Sequence, residues 1–284
     1  MSRRPPPPTK TKPKATRRPM RKPVRRTPAW VAPVATIGAL ALVVVAFLAI
    51  RYMTTPSTSV TPPDTSVTAA VLSTLTGLPS SELDQVGTGA AQNIIKPVNG
   101  PALTVSGKPM VFYFGAEYCP YCAAERWAMI VALSRFGTFS GLQTTTSSSS
   151  DIYPDTPTFT FHGASYTSQY IVFQSVESSD RNQHALESPT ASQVALVNSY
   201  DSGGSIPFVD FGNRYAFDGA TYKPDVLQGL TSQQVANDLQ NPSSPQAQGI
   251  LGSANLITAA ICKLTSNQPT TACTPAIQAI EAKL

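Results

Sequence analysis

The chain has 284 residues, 42% hydrophobic and 13% charged, with a formal net charge of +5. That hydrophobic share supports a buried core of one or two domains and excludes a chain disordered throughout. The charge is divided: residues 1–30 hold 11 Lys/Arg and no Asp/Glu, and the remainder holds 10 Lys/Arg against 16 Asp/Glu. A basic tail therefore precedes a mildly acidic body.

Residues 1–30 alternate Pro with Lys, Arg and Thr. Such a composition buries no core, so a disordered cytoplasmic tail is predicted, topogenic rather than nucleic-acid-binding. Val31 to Ile50 then runs without a charge. At a rise of about 1.5 Å per residue this segment spans roughly 30 Å, the thickness of a bilayer core. A cleaved signal peptide has a shorter apolar region and a small-residue cleavage site, so one uncleaved transmembrane helix at 31–50, seated in membrane lipid, is the expectation. The basic flank precedes it and only Arg51 follows closely. Basic flanks stay in the cytoplasm. The expected arrangement is a single-pass plasma-membrane protein with its N-terminus inside and its C-terminal domain extracytoplasmic. All four cysteines fall in that outer part, where disulfides persist.

Residues 51–68 are rich in Thr, Ser and Pro and read as a linker. A short helix is predicted near 68–76, and irregular chain across 77–103. Pro109 to Phe114 is a continuous apolar run rich in β-formers, as expected of a central strand buried on both faces. Gly115 to Tyr118 turns the chain. Pro120 suits a first helical turn, and a helix is predicted to about Phe136, closed by Gly137. The Thr/Ser-rich stretch 141–150 offers a second strand. Residues 157–174 alternate and predict a hairpin or further strand. Ser188 is expected to cap a helix from Pro189 to about Tyr200. Ile206 to Phe211 reads as a strand, Gly212-Asn213 as a tight turn, and Arg214 to Phe217 as the returning strand. Helices follow near 231–240, 249–264 and 274–283. The order describes an α/β domain with one mixed sheet.

The chemistry-bearing motif is Cys119-Pro-Tyr-Cys122, at a strand-to-helix junction. Unpaired N–H groups and the helix dipole stabilise a thiolate at such a place, which makes Cys119 the expected nucleophile. Cys122, one turn on, is shielded and placed to resolve a mixed disulfide. The alternative is an inert disulfide. Cys262 and Cys273 bracket a polar, Pro-containing stretch between two predicted helices and are expected to form a structural disulfide, with a second, electron-relaying pair the alternative. A four-cysteine zinc site needs two short knuckles at modest separation; the second pair here is C-x10-C, so no metal and no cofactor are expected. His162 and His184 belong to no metal or nucleophile motif and are read as surface residues.

Phe112-Tyr-Phe-Gly-Ala-Glu-Tyr-Cys-Pro-Tyr-Cys122 resembles the active-site strand and turn of thioredoxin-like proteins. Ser205-Ile206-Pro207-Phe-Val-Asp-Phe-Gly-Asn resembles the loop that opens a later strand with a cis-proline facing the motif. The resemblance implies a thioredoxin-like mixed sheet flanked by helices over residues 69–284. It implies that Ile206, Pro207 and Tyr118 frame a groove that binds the substrate backbone in extended form. Two departures stand out. Thioredoxins keep a buried acid six residues before the first cysteine; here that position is Tyr113, with Glu125 the substitute for proton transfer. The distance from Cys122 to Pro207 is also about double the thioredoxin spacing, which places an insertion at about 143–187, between the C-x-x-C helix and the cis-Pro strand. The tail, the anchor and Cys-Pro-Tyr-Cys-Ala-Ala-Glu-Arg-Trp127 together resemble a prokaryotic family, domain of unknown function 929, over roughly residues 70–284.

The implied function is that of a membrane-anchored thiol–disulfide oxidoreductase. Its partners would be exported protein thiols and disulfides, together with a membrane redox partner that regenerates the active site. Oxidase, isomerase and reductase directions share this chemistry. The alternative is a non-catalytic thioredoxin-like envelope binding protein with structural disulfides.

Overall fold

The computed structural model describes residues 65–201 and 203–284, all within one compact unit. The tail at 1–30, the span expected at 31–50 and most of the linker lie outside the described residues. Among the described residues no helix is long and apolar enough to cross a membrane.

The chain begins with α1 (Thr65–Thr76) and α2 (Ser80–Val86), then two short strands, β1 (Lys96–Pro97) and β2 (Thr104–Val105). The central strand β3 (Lys108–Gly115) leads into α3 (Pro120–Ser134). Four short strands follow: β4 (Gly137–Ser140), β5 (Gln143–Thr146), β6 (Pro157–Thr160) and β7 (Ser165–Ser168). Then come β8 (Val172–Glu177), α4 (Ala191–Tyr200), β9 (Phe208–Phe211) and β10 (Tyr215–Asp218). A 3-10 turn at Pro224–Leu227 and three helices close the chain: α5 (Ser232–Asp238), α6 (Pro245–Leu264) and α7 (Pro275–Glu281).

β3 organises the main sheet. It pairs in parallel with β8, from Met110 opposite Val172 to Gly115 opposite Glu177. On its other side it runs antiparallel to β9, with Val111 opposite Phe211 and Phe114 opposite Phe208. β10 returns antiparallel along β9 and β1 borders β10. The sheet is thus mixed, with helices on both faces. Val111 and Tyr113 face the larger cluster, which includes Trp127 and Ile130 of α3 and Leu251 and Ile257 of α6. Met110 and Phe112 face a smaller cluster with Val176, Phe208 and Val197 of α4. Because both faces of β3 are covered, its sequence reads as an unbroken apolar run instead of an alternation.

Several boundaries differ from the sequence reading, each for a local reason. α1 starts at Thr65, inside the stretch read as linker. The span 77–103 contains α2, whose Leu83 and Val86 are buried. The cap of α4 is Thr190 rather than Ser188: Thr190 and Gln193 form a reciprocal capping box that satisfies two N–H groups at once. α3 ends at Ser134, and Gly137 opens β4 instead of closing the helix. A Cβ at Gly137 would collide with the Thr167 carbonyl and the Tyr166 ring across the β4–β7 pairing. The Thr-rich segment at 143–146 is a strand, but it pairs with β6 in a separate two-stranded ribbon. The strand that extends the main sheet is β8.

Cys262, in the last turn of α6, is bonded to Cys273, just before α7. Both are buried, and the disulfide staples the two helices as expected. Replacing both with Ala should lower unfolding free energy by about 2–3 kcal/mol, the chain-entropy value for a loop of this size. Urea denaturation of the double variant against the parent checks this.

Candidate active site

Cys119 is the N-cap of α3. Its backbone is extended (φ −76°, ψ 121°), and its sulfur accepts a hydrogen bond from the Cys122 N–H at 3.3 Å. Pro120 occupies the first helical position, where a missing N–H costs nothing. The local sequence therefore dictates the geometry: a short side chain able to accept at the cap, then a residue with a preset φ, then the helix. The turn before it is closed by the Cys119 N–H on the Ala116 carbonyl. Both thiols are free. Cys119 is only 6% exposed and Cys122 is fully buried.

The two sulfurs are electrostatically unlike. A hydrogen bond from the Cys122 thiol is the main influence holding Cys119 below the ordinary thiol range. Burial opposes it, while the Cys122 N–H, the Arg126 guanidinium and the Tyr121 N–H add to it. Cys122 is pushed well up, first by burial and then by that same hydrogen bond, in which it is the donor. One sulfur is prepared to ionise and the other to remain protonated.

The loop before β9 comes to this point. The Ile206–Pro207 peptide is cis, and the Ile206 carbonyl accepts from the Cys119 thiol at 3.6 Å. Pro207 is buried, and its carbonyl accepts from the Gly219 N–H. Tyr118 is half-buried, and its carbonyl accepts from the Ser148 N–H at 2.9 Å. Cys119, Cys122, Tyr118, Ile206 and Pro207 are thus brought together. The histidines are elsewhere and exposed: His162 pairs with Glu187, and His184 with Asp180. Among the described residues no group of three or more metal-ligating side chains occurs.

Glu125 is fully buried, and its carboxylate is engaged by Thr221 and Ser253. It accepts from the Thr221 N–H and hydroxyl at 2.9 and 3.0 Å and from the Ser253 hydroxyl at 3.3 Å. The charged group that acts on the sulfurs is its neighbour. Arg126, fully buried, donates Nε and Nη2 to the two carboxylate oxygens of Glu177 at 2.7 and 2.8 Å. Nη2 also donates to the Ala116 carbonyl at 2.6 Å. The guanidinium lies 5.9 Å from the centre of the Tyr113 ring. Arg126, Glu177 and Tyr113 escaped the sequence reading as a set. The available signal was an arginine four residues after Cys122 in a helix otherwise apolar on that face.

The family model for the domain of unknown function DUF929 matches residues 95–200 and 194–263. The chain belongs to the DUF929 family. No curated protein and no solved structure matches the chain. The DUF929 match spans the strand, the motif, the Ile206-Pro207 loop and most of α6, so every residue of the cluster lies within it.

Burial raises Glu125 from 4.5 to about 7, against the hydrogen bonds from Thr221 and Ser253. The folded chain therefore keeps this proton up to about pH 7, whereas the unfolded chain releases it near 4.5. Stability should fall as pH rises through that interval, on the order of 3 kcal/mol from this group. Asp210, raised from 3.8 to about 7 by burial, acts with the same sign. In Glu125→Gln the decline should be shallower than in the parent, as read from urea midpoints at pH 5 and pH 7.5.

Proposed function

We propose that this DUF929 protein is a thiol–disulfide oxidoreductase with a thioredoxin-like domain, in which Cys119 exchanges and Cys122 resolves. The carrying observation is the asymmetry of the pair. Cys119 caps a helix with its sulfur on a backbone N–H and on the Ile206 carbonyl, and Cys122 is buried one turn behind it. A staple needs no such difference between its sulfurs; a nucleophile and its resolving partner do. The element order adds support. A parallel strand–helix–strand unit followed by a helix, an antiparallel pair and a closing helix is what the thioredoxin resemblance implies.

In the reducing direction the Cys119 thiolate attacks one sulfur of a substrate disulfide. That S–S bond breaks, a Cys119–substrate disulfide forms, and the other substrate sulfur leaves as a thiolate that takes up a proton. Cys122 then loses its proton and attacks Cys119. The second substrate thiol departs, leaving the enzyme oxidised and the substrate reduced by two electrons. The oxidising direction is the reverse sequence. Either direction needs a two-electron dithiol/disulfide partner to restore the enzyme. The partly exposed Ile206 and Tyr118 beside Cys119 suit an extended peptide carrying the reacting cysteine. With the anchor proposed at 31–50, the substrates are exported proteins and the regenerating partner lies in the membrane.

The test uses two single variants. Cys122→Ala should trap mixed disulfides through Cys119, visible as thiol-sensitive high-mass species on non-reducing gels, and Cys119→Ala should trap none. In the reduced parent protein, Cys119 should react with iodoacetamide at pH 6 while Cys122 is protected. Two equally inert thiols would instead support the non-catalytic binding protein.

A further inference from the structure

We infer that Arg126 is the positioning cation of the Cys119–Cys122 pair, clamped by Glu177 against the turn carbonyl of Ala116 so that its charge offsets a thiolate forming above it. This rests on the exchange reading and extends it to what sets the reactivity of that site.

The geometry makes the case. Cys122 and Arg126 are four residues apart on one helix and so share a face. The Ala116 carbonyl is a common node: it accepts from Arg126 Nη2 and from the Cys119 N–H. Moving the guanidinium therefore moves the turn that presents Cys119. Glu177 holds the fork from the adjacent strand, and it also accepts from the Phe161 N–H. Of the three guanidinium nitrogens, Nε and Nη2 are engaged. Nη1 is buried with no hydrogen-bond partner, and so is the Tyr113 hydroxyl. A fully buried arginine with one unsatisfied nitrogen is an expensive strut, since a pair of apolar residues would hold helix to strand at no desolvation cost. A cation with a donor in reserve is well suited to meeting an anion on a neighbouring sulfur.

The groups facing the sulfurs give that cation its sign advantage. Tyr113 comes from β3, Tyr118 from the turn, Tyr121 from α3 itself, and Asp151 from the loop before β6, where its charge acts on Tyr118 and Tyr121. Glu177 from β8 is already neutralised by Arg126, and Glu117 acts on Glu177. Among the described residues, Arg126 is the cation whose charge acts on both Cys119 and Cys122.

The test is the pH dependence of Cys119 alkylation in the full-length chain, with the Cys119/Cys122 reduction potential alongside. Arg126→Met combined with Glu177→Leu removes the pair without leaving a buried charge. It should slow alkylation at pH 6 by about tenfold, equivalent to a rise of about one unit in the midpoint, and make the couple more reducing. Glu177→Gln leaves Arg126 facing the thiolate alone and should shift both readouts the opposite way. Arg126→Lys keeps the charge and should retain low-pH reactivity, deciding the matter if a charge-removing variant loses its near-UV dichroism. Opposite shifts from the first two variants are not produced by loosened packing. Shifts of one sign, or no shift, in a protein whose parent Cys119 reacts at pH 6 would overturn the role of Arg126 alone. A parent Cys119 inert at pH 6 would overturn the exchange reading beneath it.

Discussion

The first turn of α3 carries the constraint on which the site depends. A helix begins with N–H groups that have no partner, and this one begins at a cysteine. Cys119 accepts from the Cys122 N–H with its sulfur, and Pro120 between them brings no N–H of its own that needs a partner. That bond holds the Cys119 sulfur at the helix start, with Cys122 buried one turn on, and the Ile206 carbonyl meets the same sulfur. The register of β9 on β3, with Phe114 opposite Phe208, brings the loop before β9 level with the start of α3.

Buried charge is concentrated around the same helix. In a chain with 13% charged residues, α3 buries two adjacent ones, and they face different ways. Glu125 looks toward Thr221 and Ser253 of the α6 side, and Arg126 toward Glu177 of β8 and the motif. The Arg126–Glu177 pair is bidentate, the geometry that best repays desolvation. Removing one partner of such a buried pair costs roughly 3–5 kcal/mol, because the other charge is left without compensation. The helix is thus tied through polar contacts on one flank to its packing helix and on the other to the strand beside β3. Tyr113, beside the Arg126 guanidinium, contributes bulk and a hydroxyl.

Much of this was legible in the sequence because it is local. The apolar run of β3, the helix start at the C-x-x-C motif with Pro120 in its first turn, and the turn residues Gly212-Asn213 each declare themselves within a few residues, and the structure places them as read. What was not legible is non-local. Nothing local marks Arg126, because its partner Glu177, 51 residues later, is brought opposite it only by the parallel pairing of β3 and β8. Glu125 reads as a proton carrier for the adjacent cysteine until Thr221 and Ser253, far along the chain, are seen to claim its carboxylate. The cap at Thr190 was missed for a different reason. Ser188 and Thr190 both fit the composition rule, and only the Gln193 side chain reaching back to the Thr190 N–H separates them.

The segment between α3 and β8 is joined to the site more closely than an insertion need be. Trp127 Nε1 donates to the Pro157 carbonyl, the Thr158 hydroxyl to the Ala123 carbonyl, and the Ser148 N–H to the Tyr118 carbonyl. Each bond ends on the motif's turn or on the first two turns of α3, and Trp127 packs edge-on against Phe159. Ser147, Thr156 and the Tyr153 carbonyl lace the intervening loop to itself. That loop sets Tyr153 edge-on against the half-exposed Tyr121 and leaves Ile152 in solvent. The loop cannot be displaced without releasing Tyr118, and Tyr118 cannot shift without moving the cap. The segment therefore borders the start of α3 and is bonded to it through Tyr118, Ala123 and Trp127.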